Sequence, residues 1–251
     1  MHLNLSGVTY DSVPGRMLRL PLRLVPRNAC VPIMQGPLRG MRWLVGSSTH
    51  GCWLGSYEFE KQRLFAGLVP SGGVVWDVGA HVGFYTLLAA RMVGPAGRVV
   101  AFEPFPRNLA FLRRHIDLNS LGNIDMIEAA VGEKCGPGSF SEGENSSTGS
   151  LSGVSGGIAV RVVTLDSMLA NAASRPADVI KMDIEGGELG ALQGADRLFS
   201  TSRPVLLLAT HGREQHSACV QYLSAKGYSV AGLGGRTITD TDELVATPEK
   251  H

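Results

Sequence analysis

Residues 74–85, Val-Val-Trp-Asp-Val-Gly-Ala-His-Val-Gly-Phe-Tyr, constrain the fold of this chain more than any other segment. A short apolar run turns through two glycines and continues into a segment with helical apolar periodicity through Leu87 and Met92. This pattern predicts a buried strand, a tight turn and the N-terminus of a helix. We expect Gly79 and Gly83 to let a ligand approach the backbone, with at least one of them at positive φ. The helix N-terminus would offer N–H donors to an anionic group.

The next predicted strand, residues 98–103, ends in the carboxylate of Glu103. A carboxylate at the end of this strand is placed to accept hydrogen bonds from both hydroxyls of a ribose. The two segments together therefore predict a site for a nucleoside-containing cofactor.

The spacing of the glycines narrows the choice of cofactor. A dinucleotide-binding turn requires Gly-x-Gly-x-x-Gly, but here Gly79 is followed by Ala80 and His81, so the second glycine is missing. Asp77 would repel a pyrophosphate and could instead pair with an amino-acid ammonium group. S-adenosylmethionine carries that ammonium and a ribose but no phosphate, and it is the predicted cofactor. An NAD-dependent oxidoreductase and an ordinary strand–helix turn without a ligand are the alternatives.

The length of 251 residues favours one α/β domain with an appendage. We place an N-terminal extension at residues 1–56 and the main domain at 57–251. The net charge of +1 gives no reason to expect nucleic acid as a partner, and no apolar run is long enough for stable membrane insertion. The cysteines have no metal-ligand spacing and indicate reduced thiols in a cytoplasmic protein; they are Cys30, Cys52, Cys135 and Cys219.

The extension itself is basic and rich in proline. Its arginines interrupt every apolar stretch, which argues against a signal peptide; they are Arg16, Arg19, Arg23, Arg27, Arg39 and Arg42. A cap over the domain or a contact between subunits of a homo-oligomer is the main interpretation. Attraction to an anionic substrate or membrane surface is the alternative.

From Val74 onward, predicted strands and helices alternate, which indicates a parallel sheet with right-handed crossovers. One strand is expected over 124–131, and a final antiparallel hairpin is expected to pair residues 228–230 with 236–239. Glycine and serine dominate residues 132–157, which we predict to form a mobile loop near the site, with Asn145 or Ser150 in contact with ligand.

Several of these segments resemble FkbM-type methyltransferases, a class I family that uses S-adenosylmethionine. The resemblance covers roughly residues 55–212, and its most specific block is Ile-Lys-Met-Asp-Ile-Glu-Gly at 180–186. It implies a Rossmann-like, mostly parallel seven-stranded sheet with a C-terminal antiparallel hairpin, and methyl transfer to hydroxyl oxygens in sugar or natural-product pathways. Members commonly carry a glutamate two residues before the last histidine of the region, where this chain has Ala209. A non-catalytic nucleoside-binding protein of the same fold is therefore a further alternative.

The predicted site lies beyond the carboxyl ends of the strands, where open α/β sheets bind ligands. We assign cofactor contacts to Glu58, Asp77, Gly79, Ala80, His81, Gly83, Phe84, Tyr85, Glu103, Pro104, Asn108 and Asp183. The substrate contacts are predicted at Glu185 and Ser150.

His211 follows an apolar strand and is the predicted general base, because its ordinary pKa near 6.5 suits proton removal from a hydroxyl. Asp183 is its predicted catalytic partner, and Lys181 is expected either to face the site or to pair with a neighbouring acid. No metal is predicted. A magnesium ion held by Asp183, Glu185 and His211 is the alternative for these three side chains.

Overall fold

The computed structural model describes residues 21–141, 150–151, 157–169 and 175–249. Its strands are β1 (Cys30–Pro32), β2 (Arg42–Leu44), β3 (Val74–Val78), β4 (Arg98–Phe102), β5 (Ile124–Ile127), β6 (Ala130–Val131), β7 (Gly136–Ser141), β8 (Ser150–Leu151), β9 (Ile158–Val163), β10 (Val179–Met182), β11 (Val205–Ala209), β12 (Tyr228–Gly232) and β13 (Glu243–Pro248). Its α-helices are α1 (His50–Leu54), α2 (Phe59–Leu68), α3 (Phe84–Val93), α4 (Pro106–Leu118), α5 (Leu165–Met168), α6 (Glu188–Gln193), α7 (Asp196–Thr201) and α8 (Arg213–Ala225). Short 3₁₀ segments cover Pro21–Leu24, Val45–Ser47, Leu233–Gly235 and Ile238–Asp240.

The main sheet has seven strands in the order β12-β13-β11-β10-β3-β4-β5. The five strands from β11 to β5 run parallel to one another, and β13 runs antiparallel to both β11 and β12. This is the predicted seven-stranded, mostly parallel sheet of a class I methyltransferase, and the fold class is confirmed.

The predicted closing hairpin is wrong in its second strand. The partner of β12 is Glu243–Pro248, whereas residues 236–239 lie in the connection between the two strands. Gly234 and Gly235 both have positive φ, but they are followed by a 3₁₀ turn rather than by a strand. The buried side chains of Leu244 and Ala246 alternate with more exposed ones, and this period of two is what selects β13.

The stretch predicted as one long loop contains ordered strands. Gly136–Ser141 pairs with β9 and with β8 in a small second sheet, although its own composition disfavours a strand. Cross-strand pairing overrides the weak strand propensity here. The strand predicted over 124–131 is likewise divided, because β5 belongs to the main sheet and β6 to the small one. Asn145 lies outside the described residues.

Helices cover both faces of the main sheet, so its central strands are buried on both sides. Successive residues of β3 alternate between two apolar cores. Trp76 packs into the core that contains Ile180 and Leu208, while Val75 packs into the core that contains Leu207. No helix in the described ranges is long and apolar enough to cross a membrane.

The described part of the extension packs into the second core. Trp43 is fully buried and stacks on His115 of α4, with ring centroids 3.9 Å apart. The backbone N–H of Leu44 donates to His115 Nε2 at 3.1 Å, and His115 Nδ1 donates to the carbonyl of Val82 at 2.8 Å. Burial lowers the pKa of His115 to about 4, which keeps the ring neutral. The extension is thereby tied to the turn after β3. The boundary at residue 56 stays a prediction.

Both glycines of that turn have positive φ, 81° at Gly79 and 99° at Gly83. A Cβ atom at position 79 would lie 2.0 Å from the carbonyl oxygen of Asp183, and one at position 83 would lie 2.4 Å from Leu112 Cδ1. The absence of side chains therefore serves close packing within the protein. The approach of a ligand to these glycines stays a prediction.

We predict that Gly79→Ala destabilises the protein far more than Gly234→Ala. Both positions have positive φ, but a Cβ at Gly234 meets no atom within 4 Å. Positive φ alone should cost about 1–2 kcal/mol at either site. The clash with Asp183 should add about 1–3 kcal/mol at position 79. Urea unfolding of the two variants measures the difference, and equal losses would contradict the role given to the packing contact.

Candidate active site

A cavity of about 280 Å³ opens beyond the carboxyl ends of β3, β10 and β11. Nine of the predicted site residues line it: Glu58, Gly79, Ala80, His81, Phe84, Tyr85, Asp183, Glu185 and His211. Lys181 and Ala209 line it as well, together with residues that the sequence did not single out: Ser48, Cys52, Tyr57, Val82, Asp242 and Glu243. Asp77, Gly83, Glu103, Pro104 and Asn108 are not part of its lining. The side chain of Ser150 lies outside what the structure describes, and its contact with substrate stays a prediction.

Asp77 lies beneath the cavity and does not face it. Its side chain is fully buried, and Thr86 Oγ1 donates to its Oδ2 at 2.6 Å. Lys181 Nζ lies 3.6 Å from the other oxygen of Asp77 and donates to the carbonyl of Gly79 at 3.1 Å. Burial raises the pKa of Asp77, while the charge of Lys181 opposes that rise. The carboxylate thus supports the turn from below, and the expected direct pairing with a cofactor ammonium is not available in this conformation.

Glu103 is also buried behind the turn. One oxygen accepts from the backbone N–H of His81 at 2.7 Å, and the other accepts from the N–H of Phe105 at 2.9 Å and from Asn108 Nδ2 at 3.2 Å. Burial raises the pKa of this carboxyl group above its ordinary value. Glu103, Asn108 and the half-buried Pro104 therefore fix the strand end behind His81. Their contact with a ribose stays a prediction.

Asp183 lies between two buried lysines. Its Oδ2 is 3.8 Å from Lys61 Nζ and 3.9 Å from Lys181 Nζ. Burial alone would raise the pKa of Asp183, but the charges of Lys181 and Lys61 hold it below its ordinary value. Asp183 is therefore ionised and faces the cavity as a fixed negative charge.

Lys61 links three carboxylates and was not recognised from the sequence. It donates to Glu243 Oε1 at 2.5 Å and lies 3.5 Å from Glu58 Oε2, which also accepts from the Tyr85 hydroxyl at 2.7 Å. Although burial opposes its charge, the carboxylates of Glu58 and Asp183 raise the pKa of Lys61.

Glu243 lies next to position 209, where family members commonly carry a glutamate and this chain has alanine. In the antiparallel pairing of β11 with β13, Ala209 lies directly opposite Glu243. Opposed side chains in such a pair are neighbours on one face of the sheet. A carboxylate therefore reaches the cavity from β13, and the error in the predicted hairpin is what concealed it.

His211 lies at the end of β11, beside the end of β10, as predicted from the chain order. Its Nδ1 is 2.8 Å from Glu188 Oε1, while Nε2 is 3.4 Å from Glu185 Oε2 and 3.7 Å from Asp183 Oδ1. The hydrogen bond to Glu188 is the largest cause that raises the pKa of His211 to about 9, against the opposing effect of burial. Glu188 is fully buried and was not predicted as a site residue, because an acid in the first turn of a helix is common in any sequence.

The side chains of Asp183, Glu185 and His211 could each offer one ligand atom to a metal ion, with these atoms within 4.8 Å of one another. Two carboxylates and an imidazole suit a divalent cation. However, Lys61 and Lys181 already balance the charge of Asp183. The charges can thus be accounted for without a metal, and a metal-bound form remains the alternative.

Three residues of the cavity wall adopt left-handed backbone conformations that non-glycine residues rarely take. Their φ angles are 44° at Glu58, 50° at His81 and 56° at Glu185. Strain of this kind persists only where the surrounding structure fixes it, and it clusters at functional sites. The strained backbone and the charged side chains therefore lie at the same cavity.

A second cavity, of about 830 Å³, opens next to the first and shares His211 and Asp242 with it. Its other lining residues are Thr210, Gly212, Arg213, His216, Ser217, Thr239, Asp240 and Thr241. His211 therefore lines both cavities.

Comparison with known proteins identifies relatives of this chain. Residues 77–230 match the model of the methyltransferase FkbM domain, which is more than half of the chain. The hexuronic acid methyltransferase AglP of Haloferax volcanii is 25% identical over 138 residues, which cover 55% of this chain and 56% of that protein. Methyltransferase 1 of Beauveria bassiana is 20% identical over 186 residues, covering 64% of this chain and 74% of that protein.

Among solved structures, methyltransferase FkbM from Methylobacillus flagellatus KT superposes with a TM-score of 0.50 and 19% identity, over 80% of this chain and 55% of that one. This likeness concerns the fold. The chain spans little more than half the length of the archaeal relative and of this crystallised protein.

We predict that His211 makes the stability of the protein depend on alkaline pH. Its pKa is raised from 6.5 to about 9, so its contribution is fully present below pH 6.5 and is lost as the pH rises through about 9. Melting temperatures of the wild type and His211→Gln should converge over this window. A constant difference from pH 6 to pH 10 would show that the folded protein does not stabilise the charged ring.

Proposed function

Because this chain belongs to the FkbM family of methyltransferases, we propose that it transfers the methyl group of S-adenosylmethionine to an oxygen of a small hydroxylated molecule, such as a sugar or natural-product intermediate. The cofactor supplies an electrophilic methyl group on a positively charged sulfur. The protein has to hold that cation, align the acceptor and remove a proton.

The acidity of the first cavity is the observation that supports this proposal most. Five carboxylates line it, against one lysine and two histidines: Glu58, Asp183, Glu185, Asp242 and Glu243. Negative charge in a partly buried cavity favours a cationic ligand and disfavours the pyrophosphate of a dinucleotide. The donors present thus fit a sulfonium cofactor, with Glu58 and Asp183 the acids best placed to face its positive groups.

His211 is the group we assign to proton removal. When the acceptor oxygen takes the methyl group, its proton passes to His211 Nε2 and the carbon–sulfur bonding pair stays with sulfur. In the free protein the ring is protonated at neutral pH, because its pKa is about 9. A positive charge bound nearby would disfavour the imidazolium and lower this pKa toward the working pH.

The kind of acceptor oxygen decides how much a base contributes. The relative AglP is named a hexuronic acid methyltransferase, and a hexuronic acid offers both hydroxyl groups and a carboxylate. A carboxylate is already ionised at neutral pH, whereas a sugar hydroxyl keeps its proton until transfer. The placement of His211 favours the hydroxyl as the acceptor.

Calorimetric titration with S-adenosylhomocysteine and with NAD tests the cofactor class. We expect binding of the first and none of the second. Tight NAD binding would favour an oxidoreductase. Binding of S-adenosylhomocysteine without turnover on a panel of sugars and uronic acids would favour the non-catalytic alternative.

We predict that His211→Ala lowers kcat by about 10²–10⁴-fold on a hydroxyl acceptor, the usual contribution of a general base. Its affinity for S-adenosylhomocysteine should stay near normal. The rise of kcat/KM toward pH 9 in the wild type should be absent from this variant, since that parameter follows the free enzyme. Near-normal turnover of the variant on a hydroxyl acceptor would contradict this role and indicate that Asp183 or Glu185 is the base. An unchanged rate on a carboxylate acceptor would indicate that the product is a methyl ester.

The metal alternative has its own test. Turnover should survive prolonged dialysis against EDTA and should not rise when magnesium or manganese is added. If activity disappears on dialysis and returns with either ion, Asp183, Glu185 and His211 are ligands and His211 is not the base.

A further inference from the structure

The environment of Glu188 differs from that of the other acids near the cavity. Its side chain is fully buried at the start of α6, a helix of six residues. One oxygen, Oε1, lies 2.8 Å from His211 Nδ1 and accepts the backbone N–H of Gly186 at 3.0 Å. The other oxygen, Oε2, is buried and has no hydrogen-bond partner among the residues that the structure describes.

The hydrogen bond fixes the tautomer of His211. An ionised carboxylate can only accept, so the proton of a neutral imidazole has to reside on Nδ1. The lone pair is then on Nε2, the nitrogen that faces Asp183 and Glu185 in the cavity. This is the orientation that proton removal from an acceptor requires.

Burial makes the coupling strong. A buried carboxylate loses its hydration and depends on charged or hydrogen-bonding partners for compensation. The charged groups that face His211 are Glu188 from α6 and Asp183 and Glu185 from the connection between β10 and α6. Of these three, Glu188 alone forms a hydrogen bond with the ring, at 2.8 Å from Nδ1, whereas Glu185 and Asp183 lie 3.4 and 3.7 Å from Nε2.

We propose that Glu188 is the positioning residue of the active site: it holds the His211 ring with Nε2 directed toward the acceptor and stabilises the imidazolium that forms when the ring takes the acceptor proton. Glu188 does not line the cavity, and its side-chain contact with a residue of the lining is the one with His211. This inference rests on the proposed function, in which His211 is the base.

Glu188→Gln tests the charge with little change in shape. The amide oxygen can still accept from Gly186 and from the ring, but the negative charge is lost. NMR titration of the full-length protein should show the pKa of His211 falling from about 9 toward 6.5. With an acceptor found in the panel above, kcat should fall by about 10- to 10⁴-fold, the range for losing an orienting carboxylate. The pH at which kcat/KM rises should move down together with the pKa.

A double-mutant cycle separates positioning from a merely structural role. In the His211→Ala background, Glu188→Gln should cause no further loss of rate, because a residue that acts through the ring has nothing left to act on. Glu214→Gln removes an exposed acid from the first turn of α8 and is the matched control, with no expected effect on the pKa of His211 or on rate.

An unchanged pKa of His211 in Glu188→Gln would overturn the proposal, as would additive losses in the cycle. If Glu188→Gln fails to fold, Glu188→Asp gives the same readouts with the charge kept and the contact lengthened. The titration needs neither cofactor nor acceptor, so it tests Glu188 even if the protein proves not to be a methyltransferase. Calorimetry with S-adenosylhomocysteine tests that assignment separately.

Discussion

The buried ion pair between Lys181 and Asp77 joins the two central strands at the point where the site begins. The residues are directly paired in the parallel register of β10 and β3, and both side chains are buried. The same ammonium group donates to the carbonyl of Gly79 and approaches Asp183. Loss of one partner would leave a buried charge uncompensated, which typically costs about 3–5 kcal/mol. The shape of the turn and the packing of the two strands therefore depend on this interaction, and the same lysine helps Lys61 to lower the pKa of Asp183.

Local periodicity was sufficient to predict the framework of the site. The apolar run and glycines of residues 74–85 predicted a strand, a turn and a helix, and the structure has β3, two glycines at positive φ and α3 there. Chain order alone predicted that His211 would lie beside Asp183, because consecutive strands of an α/β sheet are usually neighbours. These predictions are confirmed because they depend only on the periodicity of apolar residues in each strand or helix and on the common direction of parallel strands.

The contacts that set the chemistry could not be predicted, because they join residues far apart in sequence. Lys61 and Glu243 form a hydrogen bond although 182 positions separate them in the sequence. Predicting this contact requires the register of β13, which the sequence does not reveal. Glu188 is 23 positions from His211 and looks like any acid in a first helical turn. Asp77 and Glu103 were correctly expected at the carboxyl ends of their strands. The sequence around them does not indicate that the turn covers their side chains.

The segment before the first central strand contributes both wall and charge to the acidic cavity. Four residues from this segment line the cavity. Ser48 and Cys52 precede the predicted boundary at residue 56, and Tyr57 and Glu58 follow it. Trp43 anchors this segment on His115, whose ring also holds the carbonyl of Val82 in the turn. Lys61 adds a positive charge that, together with Lys181, holds the pKa of the buried Asp183 below its ordinary value. The segment before the first central strand therefore completes the site, because it supplies part of the cavity wall and adds Lys61 to the counter-charge that Lys181 provides from β10.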